Sequence, residues 1–393
     1  MKHSAVPIKE KNRLAWIDAA RGFAILGIFI VNVGGFSAPY FLYGGAEEAW
    51  PSGVNQFVQV IIDIFFHARF YTLFSMLFGF GFQLMKDSVV QKGLRLYPFL
   101  TRRMFILIGF GIVHAFFIWY GDILLSYGVI GLFLLFFVKV KDKTLLMWGF
   151  GLLGACTVLI TLALYAGRDL LDVTQETSIN QAMESYQSNN LSIIWSQNYT
   201  DWMYSNGAGF LLMFFVLLPL FLFGMYIARK RWLHEPKRHH SLLQSLWMIS
   251  LVLFTVFKIG PYLYGNPSWF MFMQDNIGGT ASALFYIISI TLLAQTNVGK
   301  KLINHLSYVG RMSLTNYMMQ SVICFILFYG VGFGLYGSVS PSLGVMIALL
   351  VFGGQIFFSK WWVTNYRFGP FEWVWRSLTY MKRQPFRKKQ ADC

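Results

Sequence analysis

Charge is what this sequence has least of. Of 393 residues only 12% are Asp, Glu, Lys or Arg, about half the roughly 25% of an ordinary soluble domain. Cysteine is nearly missing as well: Cys156 and Cys324 sit inside apolar runs and Cys393 is the last residue, so neither a disulfide framework nor a cysteine metal site is expected. The regular alternation of apolar and polar residues that a membrane β-barrel needs is also lacking. What is present is 56% hydrophobic and 19% aromatic residues, a mean hydropathy of +0.52, and repeated apolar runs of roughly 20 residues. This composition excludes a disordered chain and a single soluble domain. It indicates an all-α polytopic membrane helix bundle, in which every backbone group is satisfied within its own helix.

Ten spans are expected, at about 16–36, 69–86, 103–120, 122–139, 144–167, 208–229, 241–264, 276–296, 309–333 and 342–363. The first is too long for a signal peptide and carries Asp18 and Arg21 in its opening turns, so it reads as an uncleaved helix. Acidic residues number 17 against 32 Lys and Arg, a formal charge of +15. In a soluble protein that excess would suggest nucleic acid. Here it sorts by loop: with both termini cytoplasmic, all the basic residues but Arg69, Arg168 and Lys258 fall on the inner side, as the positive-inside rule requires. The expected location is the cell membrane, multi-pass, with no nucleic-acid partner and with membrane lipids as surroundings. A homodimer is a candidate assembly.

The chain reads as one integral membrane domain over 1–393, with two appendages. An extracytoplasmic loop at 168–207 carries Trp195, Tyr199 and Trp202 at i, i+4 and i+7, which suits an interfacial helix or a lid over an outward-facing pocket. A cytoplasmic amphipathic and basic tail at 366–393 starts a helix at Gly369-Pro370, places Glu372 and Arg376 at i, i+4, and ends in basic residues from Lys382 to Lys389, suited to anionic lipid. Gly149-Phe-Gly-Leu-Leu-Gly154 matches a dinucleotide-binding pattern by letter. It lies in an apolar helix with no preceding strand, so helix packing explains it better. No internal repeat is evident, which disfavours an inverted-repeat transporter.

Ionisable and amide side chains at membrane depth cost at least about 2.5–3.5 kcal/mol each when charged, so they point to function. His114 lies eight residues before Asp122, roughly 12 Å below the outer hairpin. It reads as a general base or as a hydrogen-bonded core histidine. Asp122 reads as its orienting partner or as a helix N-cap. Arg69, Lys258, Asp122 and Asp275 are candidates for one outward-facing polar cavity above His114, with Lys258 and Asp275 as an ion pair; Asp63 and His67 lie just before Arg69. On span one, Asp18 and Arg21 are one turn apart, and Asn32 shares the Arg21 face. On span nine, Ser313, Asn316 and Gln320 form a stripe just after Arg311. The stripe either glues helices together or lines a path from the cytoplasm.

These same residues carry a family resemblance. Arg13-Leu-Ala-Trp-Ile-Asp18-Ala-Ala-Arg21-Gly through Asn32, Phe74-Ser-Met-Leu-Phe-Gly-Phe-Gly-Phe82, His114 with Gly121-Asp-Ile-Leu, Gly310-Arg-Met-Ser-Leu-Thr-Asn-Tyr-Met-Met-Gln-Ser321 and Gly369-Pro-Phe-Glu-Trp-Val-Trp-Arg376 resemble, in order, the bacterial YeiB family of multi-pass membrane proteins. The first-helix pattern is also similar to that of the heparan glucosaminide acetyltransferases, and through them to a superfamily of transmembrane acyltransferases. That likeness implies an acyltransferase-like core to which Asp18, Arg21 and Asn32 belong. It implies no bound cofactor, with acyl-CoA as co-substrate, and an acyl group delivered to a hydroxyl or amine across the membrane. In the heparan enzymes the catalytic histidine follows the first helix. Here Val33–Trp50 contains no histidine, so His67 or His114 would take its place.

The leading expectation is therefore a membrane acyltransferase. Its catalytic pair is His114 and Asp122, and Asp18, Arg21, Asn32, Arg69, Lys258, Asp275, Arg311, Asn316 and Gln320 serve donor and substrate, with no metal. Arg21, Arg102, Arg103 and Arg311 would face the donor phosphates. The acceptor would be a sugar, a lipid-linked or wall-linked glycan, or a small amine. The alternatives are a small-solute transporter or exporter without covalent chemistry, and a scaffold whose polar residues only join helices. The feature that decides most among these is whether a continuous cavity links the inner basic face to His114 and the outer Asp122 region.

Overall fold

The computed structural model describes residues 14–388 apart from 172 and 208, with the backbone alone for Arg69. Lys2, Lys9, Lys11, Arg13, Asp172, Lys389 and Cys393 lie outside the described residues. Within them the chain is helical, without a named strand; one isolated bridge joins Tyr366 and Arg387.

Eight helical stretches are long and apolar enough to cross a membrane, and two shorter apolar helices accompany them. Together they match the ten expected spans. The principal helices are α1 (Ala15–Ser37), α2 (Gly53–Phe65), α3 (Arg69–Gln91), α4 (Leu96–Phe117), α5 (Leu124–Phe137), α6 (Asp142–Ala166), α7 (Glu176–Tyr186), α8 (Leu191–Asn206), α9 (Gly209–Arg229), α10 (His240–Phe254), α11 (Gly279–Leu293), α12 (Asn297–Arg311), α13 (Ser313–Phe328), α14 (Pro341–Asn365) and α15 (Pro370–Tyr380). The outer faces of α6 and α14 expose large apolar side chains such as Phe150, Leu159, Leu350 and Phe357. Such surfaces are stable where the surrounding solvent is hydrocarbon.

Glycines set the tightest seams. A Cβ at Gly22 or Gly310 would run into the backbone of the facing helix, Leu306 and Asp18 respectively, so α1 and α12 lie backbone to backbone. Gly79 and Gly224 do the same for α3 against α9. Within the expected nucleotide-like glycine pattern, a Cβ at Gly149 would meet the ring of Phe223. Packing accounts for that residue.

Two departures from the expected spans matter for function. The seventh and eighth spans do not stay α-helical at their adjoining ends: α10 continues as a π turn at Thr255–Ile259, and another π turn at Gln274–Gly278 precedes α11. The two short apolar helices are α5, with 14 residues, and α13, with 16. At 1.5 Å per residue they reach about 21 and 24 Å, less than the roughly 30 Å hydrocarbon layer. The hairpin Ile118–Ile123 precedes α5, and a loop follows α13 after Phe328. The 168–207 segment fills the space over them. It forms two helices, α7 and α8, where one interfacial helix was expected.

Candidate active site at the recessed hairpin

The short helices bring together what the sequence separates. His114, near the end of α4, places Nδ1 2.8 Å from Asp122 Oδ1. Its Nε2 lies 2.8 Å from Ser321 Oγ on α13. Asp122 precedes α5, and its Oδ2 accepts the Leu125 N–H at 2.6 Å. The helix-capping reading of this residue is met by one oxygen, and the other oxygen faces the imidazole. The His114–Asp122 contact is short but is not aligned as a linear hydrogen bond. Ser321 also lies 3.2 Å from Tyr317 O, the ordinary fallback for a serine inside a helix. An acid, an imidazole and a hydroxyl in this order form a charge-oriented nucleophile arrangement, recognised by geometry and independent of sequence order.

One cavity approaches this group. Its volume is about 520 Å³, within the range of small-molecule sites. Its mouth is basic: Arg21, Arg103, Arg231, Arg311 and Arg376 line it, with Asp18, Asp87 and Glu372 as acids. Each acid has a partner, Asp18 an arginine of the mouth itself. Asp18 accepts from Arg21 Nη1 at 3.2 Å, and Asp87 accepts from Gln83 Nε2 at 2.9 Å. Glu372 accepts the Leu314 and Thr315 N–H groups at 2.8 and 3.1 Å, together with the Thr315 hydroxyl. It caps the α13 N-terminus in trans, where a carboxylate complements the helix dipole. Burial nevertheless pushes its carboxyl above the ordinary range, against the pull of those hydrogen bonds. The expected Glu372–Arg376 spacing serves a different end: the Arg376 guanidinium lies 4.5 Å from the Phe368 ring. The inner wall is apolar, with Ile25, Ile28, Phe74, Leu107 and Leu124, and the cavity ends at Ile123, Tyr127 and Tyr317.

The cavity stops one side chain short of His114. Tyr317 lines it, and the Tyr317 ring centroid is 5.0 Å from that of His114. His114 itself is 0% exposed. The continuous passage expected from the sequence is closed in this conformation, because the wall is an aromatic side chain packed on the imidazole. The other side is closed by α8. Asn198 Nδ2 donates to Ala115 O at 2.6 Å, Trp195 Nε1 to Phe117 O at 3.2 Å, and Trp202 packs edge-on to Phe116. The stripe therefore covers the end of α4. Asp201 anchors the cover, accepting from Tyr43 Oη at 2.6 Å, Tyr186 Oη at 2.7 Å and Gln197 Nε2 at 2.6 Å.

The other expected site residues divide. Arg21 and Arg311 line the cavity mouth, as does Asp18, whereas Asn32 is half-buried on α1 and is not part of the wall. Arg103 lines the mouth with its guanidinium 3.6 Å from the Trp375 ring. Arg102 does not; its Nη1 donates to Thr379 O at 2.9 Å and ties α15 to α4. Asn316 Nδ2 donates to Val309 O at 3.1 Å and to Ser359 Oγ at 3.0 Å. Gln320 Nε2 donates to Gln355 Oε1 at 2.8 Å, and Gln355 Nε2 to Asn316 O at 2.9 Å. These amides join α13 to α14. The face of α13 one residue on carries Tyr317 and Ser321.

Lys258 and Asp275 pair as expected, but apart from Asp122. Lys258 Nζ donates to Asp63 Oδ1 at 3.0 Å and Asp275 Oδ1 at 2.9 Å. Tyr262 Oη also donates to Asp63, and His67 Nδ1 lies 3.2 Å from Asp63 Oδ1 and 3.8 Å from Asp275 Oδ2. The π turns carry Lys258 and Asp275 and point them together, a common use of such bulges. Asp63, His67 and Asp275 are close enough to ligate a metal, but the Lys258 ammonium already lies between the two carboxylates. The expectation of one polar cavity holding Arg69, Lys258, Asp122 and Asp275 is not met: these residues form two groups, and neither Lys258, Asp275 nor Asp122 lines the cavity described above. The Arg69 side chain lies outside the described residues.

Known proteins place the chain. Residues 227–382 match the family model described as protein of unknown function (DUF418). A Bacillus subtilis protein, YxaH, is 37% identical over 405 residues, covering 98% of this chain and 99% of the relative. Escherichia coli YeiB is 26% identical over 388 residues, covering 94% and 97%. The chain belongs to the YeiB family. A Bacillus acidopullulyticus protein of 39.9 kDa from the amylase 3′ region is 27% identical over 395 residues. No solved structure matches. These relatives carry no assigned activity in their names, so in this YeiB-family chain the chemistry rests on the site itself.

Ser321, Tyr317 and Tyr127 have no role assigned by sequence, and Glu372 reads there only as a partner for Arg376. A serine or tyrosine in an apolar helix usually bonds its own backbone or a neighbour. The available signal was position: Tyr317 and Ser321 are i, i+4 and so share a face.

Proposed function

We propose that this protein is a membrane acyltransferase. It takes an acyl group from an acyl-CoA-type donor entering from the cytoplasm and passes it to a hydroxyl or amine acceptor on the far side. The observation that carries the reading is an amphipathic cavity: five arginines at the mouth, an apolar interior, and an end one aromatic ring away from His114. Guanidinium groups at the mouth suit phosphates. The apolar wall suits an acyl chain, each buried methylene contributing about 0.8 kcal/mol. The basic end faces the cytoplasm and both termini lie there, in keeping with the loop charges.

In this mechanism His114 accepts the proton of the attacking group, and Asp122 holds the imidazole with Nδ1–H toward its carboxylate, which leaves Nε2 as the acceptor. Tyr317 swings aside to admit the donor's carbonyl, and α8 shields the reaction from water until the acceptor arrives.

The test supplies purified protein with radiolabelled acetyl-CoA and palmitoyl-CoA and a panel of sugar, glycan and amine acceptors, beside His114→Ala. The expected result is label on an acceptor, falling by about 10²–10⁴-fold in the variant. Equal turnover in both would remove His114 from the mechanism. No label on any acceptor, together with vectorial flux of an unmodified solute in liposomes, would favour a transporter instead.

A further inference from the structure

We propose that Ser321 is the nucleophile of this site and carries the acyl group between two half-reactions. The inference rests on the acyl-transfer reading above and deepens it. Helices α4 and α13 and the hairpin before α5 supply one residue each, and the contacts follow in order: Asp122 to His114 at 2.8 Å and His114 to Ser321 at 2.8 Å, with Asp122 held by the Leu125 N–H. Ser321 lies one turn beyond Tyr317, the residue that closes the cavity, on the same face of α13. Displacement of that one ring would therefore bring the cavity's contents to the serine.

Two other buried helix hydroxyls, Ser282 and Thr291, bond carbonyls about one turn back at 2.8–2.9 Å. Buried Ser75 and Ser359 also reach a side chain of a neighbouring helix, Tyr127 Oη at 2.6 Å and Asn316 Nδ2 at 3.0 Å. Ser321 differs in that its side-chain neighbour is an imidazole. Ser321 is 3.2 Å from its own such carbonyl and closer to the imidazole. A hydroxyl has one proton to donate; in the imidazole tautomer that carries its proton on Nδ1, Ser321 donates to Nε2.

In the first half-reaction the Ser321 Oγ–H proton passes to His114 Nε2 while Oγ attacks the thioester carbonyl carbon. The C–S bond breaks, the thiolate recovers the proton from His114, and a free thiol leaves. The serine is now an ester. In the second half-reaction the acceptor hydroxyl or amine gives its proton to Nε2 and attacks the ester carbonyl. The C–Oγ bond breaks, and Oγ takes the proton back. The sum is acyl thioester plus acceptor giving acylated acceptor plus thiol, with no change of oxidation state.

The test treats the full-length protein in detergent with a long-chain alkyl fluorophosphonate, which phosphonylates activated serines whatever the natural donor. Peptide mass spectrometry then locates the adduct. The expected result is modification at Ser321, slowed at least about 100-fold in His114→Ala. An unmodified Ser321, or equal modification in the variant, would overturn the inference. A second arm uses radiolabelled acyl-CoA with Ser321→Ala and Ser321→Cys, both checked for an unchanged melting temperature. The expected result is loss of transfer in the alanine variant and a hydroxylamine-labile acyl thioester on the cysteine variant. A structural serine would yield no such adduct. Transfer that is lost in His114→Ala but undiminished in Ser321→Ala would leave the acyl-transfer reading standing and overturn the serine's role. His114-dependent modification of Ser321 with no consumption of acyl-CoA would keep the nucleophile and overturn the donor.

Discussion

Two groups of ionisable side chains lie inside the apolar bundle, and they are held in different ways. In the group around Lys258, one ammonium sits between the carboxylates of Asp63 and Asp275, and a tyrosine and a histidine complete the ring. Lys258 is 0% exposed, and each of its neighbours has a partner, so the group holds itself together. In the group around His114 there is one carboxylate, one imidazole and one hydroxyl, with no permanent cation. The imidazole and the hydroxyl are within hydrogen-bond distance, and the group adjoins a cavity with arginines at the mouth. A polar cluster in a membrane protein is thus not evidence of chemistry in itself. What separates the two is whether a buried cation ties the carboxylates together and whether a ligand-sized space adjoins the group.

The comparison is broken most forcefully at Lys258. Lys258→Met leaves two carboxylates facing each other, and removing one partner of a buried ion pair costs about 3–5 kcal/mol. The expected outcome is a large drop in melting temperature in detergent, restored in good part when Asp63→Asn and Asp275→Asn are added. No drop would show that the group does not hold the helices.

Asp122→Asn is the opposite case. The amide oxygen keeps the Leu125 cap, so melting should change little. Loss of the carboxylate that orients His114 should lower the acyl-transfer kcat about 10³-fold, roughly 4 kcal/mol of barrier, with KM unchanged. A rise in KM at constant kcat would make Asp122 part of the binding wall instead.

How far the sequence speaks differs between these two groups as well. The ten apolar helices, the Lys258–Asp275 pair and the eight-residue link from His114 to Asp122 follow from hydropathy and local spacing. Asp63 and His67 join Lys258 only because π turns rotate the helix ends, and no residue pattern announces such a turn. Ser321 meets His114 across 207 residues of chain, and no local pattern says which faces of α4 and α13 meet. The amides Asn316 and Gln320 illustrate the same gap: their depth was legible, but their partners on α14 were not.

The smallest effect concerns the cover. Burial raises the Asp201 carboxyl above its ordinary value of 3.8, outweighing three hydrogen bonds that hold it down. The folded state therefore favours the protonated acid. This contribution is present below the unfolded value and is lost as pH rises through the folded one. The wild-type melting temperature should fall as pH increases from the ordinary carboxylate range upward, and Asp201→Asn should flatten that slope. An identical slope in both proteins would place the pH dependence elsewhere.

The account stands most directly on the occupant of the basic-mouthed cavity. Purified protein titrated with a non-cleavable thioether analogue of palmitoyl-CoA should show a saturable rise in melting temperature, because a ligand of the native state stabilises it. The rise should grow with acyl chain length and weaken in Arg103→Gln. A melting temperature unmoved at every chain length would contradict it.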